Sequence, residues 1–107
     1  MTTIQIKLPK SIARLYPKVG EKALLQALRE SVQRLIREER EELKTIKSRL
    51  RKFERKYKMR FEAFEKHLPP DGDYKIHEDY GEWSYLRDRA ATIARDLASY
   101  ERLYGSL

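Results

Sequence analysis

From Glu21 to His67 the chain contains neither glycine nor proline and is written almost throughout in strong helix formers: Leu, Ala, Glu, Lys, Arg and Gln. As one unbroken helix this stretch would measure roughly 70 Å at about 1.5 Å per residue. A chain of 107 residues cannot bury such a rod inside a globule. The rod must be cut, paired lengthwise with another helix, or left as an interaction surface.

Apolar periodicity divides it. Leu25, Leu28, Val32 and Leu35 recur at helical spacing, and the next position falls on Glu39, within Arg37-Glu38-Glu39-Arg40-Glu41-Glu42. There the helix either crosses solvent or bends, and a domain boundary is expected, with one unit over 1–40 and a second over 41–107. The stripe resumes at Leu43, Ile46, Leu50, Phe53, Tyr57, Phe61 and Phe64, until Leu68-Pro69-Pro70-Asp71-Gly72-Asp73 forces a turn. Asp79 and Glu82 have capping-box spacing for a further helix with the stripe Trp83, Leu86, Ala90, Ile93, Leu97, Tyr100 and Tyr104. Seven stripe positions before the loop against seven after it predict an antiparallel, coiled-coil-like hairpin, Phe64 near Trp83 and Leu43 near Tyr104. Such a hairpin has a thin core and is expected to pair again.

Ahead of the rod, Thr2 to Leu8 alternates, with Ile4, Ile6 and Leu8 on one face and Thr3, Gln5 and Lys7 on the other, and Pro9 stops the pattern. This reads as a strand. It is the only one, so its backbone groups need a partner, most economically the same strand of a second molecule. Lys10 to Tyr16 can form two helical turns between Pro9 and Pro17, and Pro17-Lys18-Val19-Gly20 is a turn before the long helix. The predicted fold class is therefore mainly α, with one N-terminal strand paired across a homodimer, a short helix, a long helix and a C-terminal helical hairpin.

Charge is unevenly placed. Residues 1–40 carry nine Lys/Arg against four acids, residues 41–67 ten against five, and residues 68–107 five against eight, so the net charge of +7 is +10 on the first two-thirds and −3 on the remainder. The first part suits a polyanion and the remainder does not. There is no cysteine, hence no disulfide, thiol chemistry or zinc-cluster signature. The lack of Asn and the abundance of both charge signs resemble heat-adapted composition. With no signal-like N-terminus and no membrane-length apolar run, the expected location is the cytoplasm.

The N-terminal unit, Thr3-Ile4-Gln5-Ile6-Lys7-Leu8-Pro9 with Ile12, Leu15 and Glu21-Lys22-Ala23-Leu24-Leu25-Gln26-Ala27-Leu28, resembles the ribbon-helix-helix family of dimeric DNA-binding proteins. The resemblance implies that Thr3, Gln5 and Lys7 read base edges in the major groove, and that a phosphate lies at the second helix N-terminus, Gly20-Glu21-Lys22. A ribbon that only dimerises, its polar face solvated, explains the same alternation.

The run from Lys44 to Arg60 holds nine basic residues against one acid, Glu54. It fits a nucleic-acid backbone, an acidic partner, or a solvated face neutralised by the acids of the last helix. Arg60 and His67 have the Arg-x6-His spacing of some small helical ribonucleases, a spacing that arises readily by chance among 24 Lys/Arg. With no paired carboxylates, nucleophile-base set, phosphate loop or metal spacing, neither an enzyme nor a cofactor is expected. The aromatic residues Tyr57, Phe61, Phe64, Tyr80, Trp83 and Tyr85 flank the Pro-Pro loop as a closing core or as a partner-binding surface.

The segment Tyr57-Lys58-Met59-Arg60-Phe61-Glu62-Ala63-Phe64-Glu65-Lys66, with Glu82-Trp83 downstream, is similar to short antitoxin-like proteins encoded beside a toxin gene. The layout then implies a non-enzymatic antitoxin that represses its own operon as a homodimer or tetramer, binds duplex DNA, and neutralises a toxin with its C-terminal helices. A coiled-coil scaffold dimer that does not read DNA is the alternative.

Overall fold

A computed structural model describes residues 5, 7, 9–14, 16–70 and 73–107. Four helical segments follow one another: α1 (Lys10–Ala13), α2 (Tyr16–Tyr57), α3 (Phe61–Lys66) and α4 (Tyr74–Ser106). Among the described residues there is no strand, which corrects the expected fold class from a strand-bearing α protein to an all-helical one. Gln5 and Lys7 are exposed and carry no regular structure, and the remaining residues of the alternating segment (2–4, 6 and 8) lie outside the described residues. The physical reason is the one that made the strand demanding: a lone extended segment has nothing in its own chain to bond with.

Pro17 opens a helix rather than ending one. It sits in the first turn of α2, where a missing N–H removes no intrahelical bond. The expected turn before the rod survives as a kink at Gly20, whose φ of 82° and ψ of 161° are non-helical. Glycine alone takes that backbone without a steric penalty. From Glu21 the helix runs unbroken through Arg37–Glu42 to Tyr57.

The rod is paired, as its length demanded. α2 and α4 lie antiparallel over most of their lengths, and the molecule measures 66 × 25 × 20 Å. Its radius of gyration is 21.2 Å, against about 13 Å for a compact chain of this length. Val32 and Ile36, before the charged run, join Ile46, after it, in one buried cluster with Leu86, Ile93 and Leu97 of α4.

The register differs from the predicted one. Glu42 pairs with Arg89 and Arg49 with Glu82, seven residues apart on each helix, while Arg29 donates to the Leu107 carbonyl. Leu43 packs against the seam centred on Ile93, and Tyr104 lies toward Arg29 rather than opposite Leu43. The shift arises because the first arm does not continue to His67. It turns at Lys58, whose φ is +54°, and Phe61 and Phe64 fold back on the separate helix α3. α4 also starts six residues earlier than the capping box implied. Asp73 is its N-cap, accepting from the backbone N–H of Lys75 (3.1 Å) and Ile76 (3.4 Å).

Candidate interaction surfaces

At the closed end of the hairpin the aromatic residues form a sealed core. Trp83, 1% exposed, has the rings of Phe53, Phe61 and Phe64 within 5.1–5.4 Å of its own and Tyr57 at 6.1 Å. Phe61 stacks on Tyr80 at 5.6 Å, and the Arg87 guanidinium covers its other side at 4.3 Å while pairing with Glu62. Of the six aromatic residues singled out for partner binding, Phe61, Phe64 and Trp83 are buried here and Tyr57 and Tyr80 half-buried. Tyr85 stands apart, 64% exposed on the outside of α4.

Beneath this core lies a polar contact that the sequence reading missed. The buried Asp79 carboxylate accepts from Lys56 Nζ at 2.6 Å and, through the same oxygen, from the Tyr57 hydroxyl. Its signal was present: Asp79 occupies the stripe position between Ile76 and Trp83, where an apolar residue belongs. Burial alone pushes the Asp79 carboxyl up, but the bonds from Lys56 and Tyr57 and the ammonium charge outweigh it and hold the group below its ordinary value. The bond to Asp79 raises Lys56, while burial and then that bond raise Tyr57.

The sign of the linkage follows. A depressed carboxyl contributes stability above its unfolded pKa of about 4, and the contribution is lost as pH falls through the folded value. The raised Lys56 and Tyr57 contribute below about pH 10, and lose that contribution as pH rises further. Asp79→Asn will cost about 1–2 kcal/mol at neutral pH. It will also shrink the drop in melting temperature between neutral and acid pH, as read by circular dichroism. An acid drop unchanged in the variant would show that Asp79 carries no linkage.

Among the described residues the opposite end is open. The bond from Arg29 to Leu107 places the end of α4 beside Arg29, so about two turns of α2 beyond it, roughly 12 Å, have no α4 alongside. Leu24, Leu25 and Leu28 on that arm are only half-buried, and Leu35, Leu103 and Tyr104 next to it are 37–40% exposed. Lys22 is exposed at the start of the arm, and Thr3 lies outside the described residues.

A third surface runs along the outside of α2. Lys44, Lys47, Arg51 and Arg55 are exposed and follow one another at three- and four-residue steps. Arg60 is exposed at the start of α3. His67 ends α3, its Nδ1 2.7 Å from the Ala63 carbonyl, so that ring nitrogen donates its proton to the helix end. Among the described residues no three His, Asp or Glu side chains are grouped to hold a metal ion, and no helix is long and apolar enough to cross a membrane. Comparison with known proteins finds no matching family model, no similar curated protein and no similar solved structure. The reading of function therefore rests on these surfaces.

Proposed function

We propose that this chain is a non-enzymatic, coiled-coil interaction module whose open end is completed by another polypeptide, in the first instance a second copy of itself. The observation that carries this reading is the apolar surface left by the described residues at the end of the hairpin remote from Trp83. Leu35, Leu103 and Tyr104 are 37–40% exposed there and Leu24, Leu25 and Leu28 only half-buried, whereas the other end is closed by its own aromatic core. A helix face that repeats apolar residues without a neighbour gains by acquiring one.

Light scattering on the eluting protein will give twice the 12.8 kDa chain mass. Leu28→Arg will return it to the single-chain mass with helicity retained, because a charge at the centre of the arm must then be desolvated on pairing. A wild-type protein that stays at single-chain mass at high concentration would remove self-association.

A second reading, an antitoxin-type protein gripping a toxin, is supported by the same exposed arm and by the resemblance of the Tyr57–Lys66 segment. Under it the partner replaces the second copy, and Leu28→Arg abolishes the mixed complex.

A further inference from the structure

The acids of α4 could neutralise part of the basic face of α2, and a hairpin whose acids met the bases of that face would leave little there to bind. The ion pairs do not fall that way. The acids that bridge the helices engage Arg40 (Glu101, 2.9 Å), Arg49 (Glu82), Lys56 (Asp79, 2.6 Å) and Arg89 (Glu42, 3.0 Å). All four pairs tie α2 to α4. Arg37, Lys44, Lys47, Arg51 and Arg55 take no part in any ion pair among the described residues.

These five, with Arg40, share one side of the helix. At about 100° per residue they fall within a sector of roughly 80°, centred about a third of a turn round from the apolar seam. Arg37 to Arg55 covers about 27 Å at steps of about 4.5–6 Å. The helix is continuous over this length, so the charges form a straight row, and Arg40, Lys44, Lys47 and Arg51 line a shallow groove with Leu43 at its floor.

We propose that this row is a docking surface for the phosphate backbone of duplex nucleic acid. Two features favour phosphates over an acidic protein. Among the described residues no exposed apolar or aromatic side chain stands between the bases to serve as the anchor that protein interfaces depend on: Leu43 is half-buried against the seam, and the other neighbours are Glu41, Thr45, Ser48 and Glu54. The row is also a one-dimensional repeat of like charge, matching a polymer that carries one charge per about 1.7 Å of axis. Contacts of this kind carry no base readout, so the binding is independent of sequence. It stands apart from the proposed self-association, which uses a different face.

The test is fluorescence anisotropy of a labelled duplex of arbitrary sequence, titrated with the full chain between about 50 and about 200 mM salt. With about five cations engaged, log K will fall with log salt at a slope of about −4 to −5, a loss of several hundred-fold over that range. The variant Lys44→Gln/Lys47→Gln/Arg51→Gln/Arg55→Gln replaces exposed residues with another good helix former. It will flatten the slope to about −1 and bind at least ~30-fold more weakly at low salt. Lys47→Gln/Arg51→Gln, with half as many charges removed, will give an intermediate loss. Arg95→Gln/Arg102→Gln on the outside of α4 will change neither affinity nor slope by more than about one unit. Circular dichroism checks the fold of each variant, and Leu28→Arg keeps the salt dependence per chain, which separates failure of this proposal from failure of self-association. No binding at low salt, equal binding by the four-residue variant, or displacement by polyglutamate as effective as by unlabelled duplex would each overturn it.

Discussion

Trp83→Ala will cost about 3–5 kcal/mol, the largest loss available from a single side chain in this molecule. The indole is 1% exposed and is the ring around which Phe53 and Tyr57 of α2 and Phe61 and Phe64 of α3 are arranged. Removing it leaves a cavity walled by rings that cannot collapse together, and withdraws the edge and stacking contacts as well. Stability in total is about 5–15 kcal/mol for proteins in general, so this is a large fraction. Urea denaturation followed by far-ultraviolet circular dichroism measures it. Trp83→Phe should recover more than half of the loss. An alanine variant within about 1 kcal/mol of wild type would mean the closed end contributes little to holding the helices together.

Ile93→Ala will cost about 2–4 kcal/mol by the same assay. Ile93 is fully buried at the centre of the seam, with Leu86 and Leu97 on its own helix and Ile36 and Ile46 opposite. A two-helix seam has only one layer of such contacts, so no second layer can shift to fill the gap. Leu103→Ala, at a position 37% exposed beside the seam, should cost less than about 1 kcal/mol in the monomer. Because Leu50 and Phe53 pack against both buried clusters, the Trp83→Ala and Ile93→Ala losses should not simply add. A coupling of about 0.5 kcal/mol or more is expected.

The pairing of the rod was legible because apolar residues at three- and four-residue steps on two long segments admit few other solutions. Phe64 does meet Trp83, their rings 5.1 Å apart. The register was not legible. It depended on a turn at Lys58, in a stretch with neither glycine nor proline, and no local signal announces a lysine at positive φ. The start of α4 was misplaced for a related reason: Asp79 fits a capping box on paper, but its carboxylate serves Lys56 and Tyr57, residues distant in sequence. Alternation between Thr2 and Leu8 satisfied every local criterion for a strand, yet a strand is a property of a pair.

By itself the sequence determined that this chain is built on a long helix, that the helix must pair, and that the excess of positive charge lies on the first two-thirds of the chain. Those conclusions rest on periodicity and composition, which are local. Tertiary structure alone decided which charges meet, leaving Arg37, Lys44, Lys47, Arg51 and Arg55 of α2 without ion pairs among the described residues, and which aromatics are sealed inside. It also decided which end of the seam keeps apolar surface exposed. Each of these depends on the relative register of two helices, and a shift of one turn would redistribute every contact between them without changing the apolar pattern of either.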